Sequence, residues 1–157
     1  MNNYRNEIRR LMIAVNQVEG LYYSAAKKNG VKENTLTLLY ALDDGKSHSQ
    51  KQICEEWFIP RTTINTVVKE CVEAGYITLV NEEHSKEKKV AITDKGKIYV
   101  QTVLQEVYQA EQNAMTETLK EFSPDFVKAL EQFVQHLQNE FEQQSIHEPK
   151  KSRKVNP

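Results

Sequence analysis

Residues Ser49 to Ile77 read SQKQICEEWFIPRTTINTVVKECVEAGYI and carry two short helices in tandem. Ser49-Gln50-Lys51-Gln52 has the pattern of a capping box, in which the serine hydroxyl accepts from the amide three residues on while the glutamine reaches back. A helix is therefore expected from Ser49, with Ile53, Cys54 and Trp57 facing inward. A short turn through Phe58 and Ile59 follows. Pro60 suits the first position of the next helix, where its missing amide hydrogen costs nothing. That second helix has two distinct faces: Ile64, Val67, Val68 and Cys71 recur at i, i+3, i+4 and i+7, whereas Arg61, Thr62, Asn65, Thr66 and Lys69 share the opposite side.

Immediately downstream, Gly75 closes the helix, and Tyr76-Ile77-Thr78-Leu79-Val80 and Val90-Ala91-Ile92-Thr93 alternate and are rich in β-branched residues, which predicts one hairpin of two strands. The nine residues between them, Asn81 to Lys89, are all polar, hold Lys86, Lys88 and Lys89, and are too long for a tight turn, so they are expected to project as a flap. Two helices, the second polar outside, followed by a hairpin with a basic flap, compose a winged helix-turn-helix. The residue types suit reading a DNA duplex. Arg61 can donate twice to a guanine edge, Asn65 can bond adenine bidentately, Thr62, Thr63 and Thr66 offer hydroxyls or methyls, and Lys69 reaches phosphate.

Upstream, Ile8, Leu11, Met12, Val15, Val18, Tyr22, Ala25 and Ala26 recur at spacings of three and four. They predict a long amphipathic helix over 4–26 that ends at Lys28-Asn29-Gly30. Thr35 to Leu42 is apolar on nearly all sides, which for a short helix means burial. Beyond Thr93 the 3.6-residue period returns with Val100, Val103, Leu104, Val107, Ala114, Met115, Leu119 and Phe122. Ser123-Pro124-Asp125 then starts a last helix with Phe126, Leu130, Phe133, Val134, Leu137 and Phe141 on one face. The stretch from His147 to Pro157, with four cations, one acid and two prolines, is expected to be disordered.

The whole chain has 157 residues, 21 cations against 22 acids, and 39% hydrophobic residues. Length predicts one domain per subunit. The few glycines and prolines (5 and 4) argue against a loop-rich sandwich or barrel. No apolar run of membrane-spanning length and no apolar signal core at Met1 to Arg5 is present, so no membrane partner and a cytoplasmic location are expected. Cys54 and Cys71 fall at inward positions and read as core filler, and His48, His84, His136 and His147 lack ligand spacing, so neither a metal nor a cofactor is expected. No catalytic set of carboxylates, Ser-His-Asp residues or phosphate-cradling glycines stands out, and an enzyme is not expected.

From Arg5 to about residue 143 the sequence resembles the MarR family of bacterial transcriptional regulators, most strongly from Ser49 to Gly96. The stretch quoted above looks like that family's recognition unit, and KKVAITDKG, Lys88 to Gly96, resembles its wing-closing strand. The fold so implied is mainly α with a small β-hairpin wing. A dimerisation helix (1–31) and C-terminal dimerisation helices (97–146) flank a winged helix-turn-helix lobe (32–96), and 147–157 form a cationic tail. The resemblance implies a homodimer that binds a pseudopalindromic double-stranded DNA operator, usually to repress, through Ser49, Arg61, Thr62, Thr63, Asn65, Thr66, Lys69, His84, Lys86 and Lys88. It also implies a cavity for a small aromatic effector near Val15, Tyr22, Tyr40 and Tyr99, although these tyrosines equally suit interface and core positions. The chain departs from the family pattern in two places. His84 and Lys86 stand where the wing usually has Asp-x-Arg, and Phe58 stands where the turn often has a small residue. Residues 46–96 hold eight cations (Lys46, Lys51, Arg61, Lys69, Lys86, Lys88, Lys89, Lys95) and eight acids, a balance that leaves open a winged-helix dimer used only as a protein-interaction module.

Overall fold

Leu36, Leu38, Leu39 and Leu42 make the second helix apolar on nearly every side, and all four are buried. At roughly 1.5–3 kcal/mol for each fully buried leucine, this short helix is the natural centre of the core. A computed structural model describes residues 3–81 and 88–147 of the chain. Its elements run α1 (Arg5–Lys28), α2 (Glu33–Leu42), β1 (His48–Ser49), α3 (Gln50–Trp57), α4 (Arg61–Glu73), β2 (Ile77–Asn81), β3 (Lys88–Ile92), α5 (Asp94–Thr118) and α6 (Asp125–His147). The fold is mainly helical with a small antiparallel sheet, as the patterning predicts. Around α2 pack Ala26 of α1, Ile53 of α3, the apolar face of α4, Ile77 and Val90 of the sheet, and Val100, Val103, Leu104 and Val107 of α5.

The sheet has three strands rather than the expected two, in the order β1-β3-β2. His48 and Ser49 pair with Val90 and Lys89 across the other side of β3. A two-residue strand shows no alternation, so only the pairing reveals it. The ladder between β2 and β3 also extends to Asn81 opposite Lys88, which moves Lys88 and Lys89 out of the expected nine-residue flap and into the strand. His84 and Lys86 lie outside the described residues, as does the tail beyond 147.

A staple of hydrogen bonds joins α4, the sheet and α5. Gly75 at φ +76 ends α4 in a Schellman motif, its amide donating to Val72 and that of Tyr76 to Cys71, both at 2.9 Å. Thr93 caps α5: its Oγ1 accepts from the Gly96 amide at 2.9 Å and donates to the Gly75 carbonyl at 2.7 Å. Lys95 Nζ donates to the Ala74 carbonyl at 2.6 Å, a cation on the negative end of α4. The Thr-x-x-Gly motif therefore locks the base of the wing to the start of α5.

The residues form two compact units, Met1–Glu111 and Gln112–Pro157. Among the described residues, all the buried ones belong to the first. In the second, Phe126, Val127, Leu130, Val134 and Phe141 of α6 are 39–59% exposed. On α1, Ile8, Met12, Ile13, Val18 and Leu21 are likewise open. No helix among the described residues is long and apolar enough to cross a membrane.

Candidate nucleic-acid interface

Four α4 residues fix which face points outward. Ile64, Val67, Val68 and Cys71 are buried, which leaves Arg61, Thr62, Asn65, Thr66 and Lys69 exposed on the other side and Thr63 half-buried at the margin. Pro60, extended at ψ 139°, is the residue before the helix rather than its first, so Arg61 itself opens α4. Thr66 donates its hydroxyl proton to the Thr62 carbonyl at 3.1 Å, leaving an oxygen that can still accept and a methyl that can pack. Lys69 faces Glu73 at 4.0 Å with both side chains largely exposed, a contact that does little to hold it.

The turn that presents α4 is built around Phe58. At φ 50°, ψ 36° it is the one non-glycine residue at positive φ among those described, and it ends α3. Ile59, buried, anchors the turn to the core. At the other end of α3, Ser49 is nearly buried and its Oγ accepts from the Gln52 amide at 3.1 Å. The rest of the expected capping box does not form, because the Gln52 side chain donates to Glu56 instead, at 2.8 Å. Ser49 therefore serves as a helix cap with its hydroxyl turned into the fold. Lys88, at the tip of the described wing, is exposed.

Beside the same turn lies a cavity of about 440 Å³ between α1, α2 and the residues that follow α3. It gathers Tyr22 and Tyr40 with Trp57 and Phe58. The expectation that Trp57 faces the core is therefore corrected: it is 39% exposed and meets Tyr40 edge-on, ring centroids 5.6 Å apart. Of the other residues expected at an effector site, Val15 is half-buried on α1 but does not line the cavity. Tyr99 is stacked parallel on Tyr76 at 4.0 Å, away from it.

Sequence reasoning missed Glu111. The Tyr22 and Tyr40 hydroxyls both donate to Glu111, and Tyr108 donates to Asp43 at 2.7 Å. Burial, reinforced by those carboxylates, raises the pKa of all three phenols. Glu111 lies 89 residues from Tyr22, a separation no local pattern encodes. Among the described residues no group of three or more His, Cys, Asp or Glu could hold a metal ion.

Residues 29–86, spanning α2 to the wing, match the model of the MarR family. Over those residues the chain is similar to the MarR family, and its fold is a winged helix. A MarR family regulator from Neisseria meningitidis superposes over 92% of this chain and 96% of its own with a TM-score of 0.68 at 20% identity. A MarR transcription regulator from Oenococcus oeni does so over 83% and 97%, at 0.65 and 19%. The Staphylococcus aureus MarR in complex with salicylate and kanamycin matches over 88% and 92%, at 0.61 and 16%. A comparison with curated proteins returned no match. The MarR-family fold accounts for the order of the nine elements.

Proposed function

We propose that the chain is a homodimeric, cytoplasmic, sequence-specific DNA-binding regulator that represses from a pseudopalindromic operator. The observation that carries this reading is the outward face of α4, where Arg61, Thr62, Asn65 and Thr66 stand exposed together behind the turn at Phe58. Arg61 and Asn65 read base edges, with Thr62, Thr63 and Thr66 beside them, while Lys69, Lys88, Lys86 and His84 contact backbone or minor groove. Ser49 acts through the position of α3. The open apolar stripes on α1 and on α6 support dimerisation through 1–31 and 97–146, since a lone subunit would leave them in water.

Release follows when a small molecule in the cavity beside Phe58 favours lobe spacings that no longer match half-sites about 34 Å apart. The relative in complex with salicylate and kanamycin supports a small-molecule effector. Selection of bound sequences from a random duplex pool by the purified protein, with its mass measured in parallel, tests the reading. An enriched inverted repeat and a mass twice the 18.2 kDa of one chain are expected. A pool that stays random overturns sequence-specific regulation.

The neutral balance of residues 46–96 favours one other reading, a winged-helix dimer that binds proteins and not DNA. Salt separates the two. A duplex binder loses affinity steeply as salt rises, whereas a protein-only module has no duplex affinity to lose.

A further inference from the structure

The cavity beside the helix-turn-helix turn has a chemical bias that its shape does not require. Glu19 of α1 and Glu33 of α2 line it, and among the described residues no lysine, arginine or histidine does. Beneath its tyrosines sits a third carboxylate, Glu111. The positive end of α2, which would otherwise attract an anion, already has Glu33 in its first turn.

The hydroxyl protons around the cavity are also spent. Tyr22 and Tyr40 donate to Glu111, and Thr37 donates to the Glu33 carbonyl at 3.1 Å. A guest therefore meets these three oxygens as acceptors. The remaining side-chain donors, the Asn34 amide and the Trp57 indole, are neutral. A carboxylate placed here would face three like charges and no cation, at a cost that grows as water is displaced.

The aromatic groups supply the complementary attraction. Tyr22, Tyr40 and Trp57 form a chain of edge-to-face contacts, with centroid separations of 6.5 and 5.6 Å. Phe58 adds a ring that is 82% exposed and held at the rim by a left-handed backbone, a conformation a phenylalanine rarely takes. An apolar ring kept in water at a conformational cost gains a reason if a guest covers it. Aromatic faces backed by carboxylates attract a soft, poorly hydrated cation.

We propose that this cavity binds a lipophilic organic cation, an aromatic amine or a quaternary onium group, in preference to an aromatic acid. The assignment of this ligand class rests on the effector reading given above, yet binding and release can be measured apart.

Trp57 is the only tryptophan in the chain, so its emission reports occupancy of the cavity directly. The purified full-length protein is titrated with tetraphenylphosphonium and with tetraphenylborate, which share shape and differ in charge, and with salicylate. Saturable quenching by the phosphonium at concentrations at least about tenfold below those needed for the borate or salicylate is expected. The double variant Glu19→Gln/Glu33→Gln, both positions exposed, should keep its circular dichroism spectrum and lose about tenfold in phosphonium affinity. Tighter binding of the borate or of salicylate, no saturable phosphonium binding, or a double variant that binds phosphonium as tightly as the parent overturns the proposal.

Retention of a selected DNA duplex, followed in the same titrations, separates the two readings. Duplex that stays bound while phosphonium saturates the cavity sinks effector release and upholds the cation site. Duplex released by salicylate, with phosphonium showing no saturable binding, upholds release and overturns the cation.

Discussion

Gly96 lies so close beneath the carbonyl of Tyr76 that a Cβ built on it would fall 1.9 Å from that oxygen. The neighbour is backbone, so no side-chain rotation can make room. The first turn of α5 must therefore move away from the base of the wing for any larger residue to fit. Gly96→Ala is expected to cost about 3 kcal/mol, read as a lowered midpoint of denaturant unfolding. An alanine variant as stable as the parent would mean that the junction between Tyr76 and α5 is not as tight as described.

Phe58 gives the opposite expectation. Its side chain is 82% exposed and makes little use of burial, while its backbone occupies the left-handed region. Phe58→Gly removes a strain of about 1–2 kcal/mol and adds some unfolded-state entropy, for a net gain of about 0.5–1 kcal/mol. The same change removes one aromatic wall of the cavity. Higher stability together with weaker phosphonium binding is the paired result to look for.

Arg61 opens α4 on the side facing away from Ile64 and Val68, both buried. Arg61→Ala should leave the unfolding midpoint within about 0.5 kcal/mol of the parent and weaken binding to the selected operator by about tenfold or more. Unchanged operator affinity in the folded variant would place the reading face elsewhere.

Burial pushes the Cys71 thiol from its ordinary 9.0 up to about 11, helped by Glu70. Tyr22, Tyr40, Tyr99 and Tyr108 are shifted in the same direction, first by burial. For each group the protonated form is the one the fold favours. The associated stability is fully present below the unfolded-state value and is lost as pH rises through the folded one. Stability should therefore decline from about pH 9, by roughly 2 kcal/mol from Cys71 by pH 11, with the phenols adding to the loss above pH 10. Chemical denaturation at pH 7.5, 9 and 10.5 checks the sign, and a flat profile would contradict it. The same shift predicts a Cys71 that disulfide reagents do not reach in the native state at neutral pH.

The amino-acid sequence by itself determined the order of the six helices and the hairpin and the two faces of α4. It also placed a helix cap at Ser49, with stops at Gly75 and before Asp125. Those features rest on periodicity, caps and breakers, which act over a few residues and are written wherever the chain runs. Only the tertiary structure decided that His48 and Ser49 form a third strand, that Trp57 lies at the surface, and that Tyr99 stacks on Tyr76 instead of joining the cavity. It alone brought Tyr22 and Tyr40 to Glu111, across 89 and 71 residues. Such meetings depend on how helices cross once the leucines of α2 are buried, and nothing local in α1, α2 or α5 specifies the partner. The left-handed Phe58 belongs with them, because its neighbours, and not its own preference, hold it there.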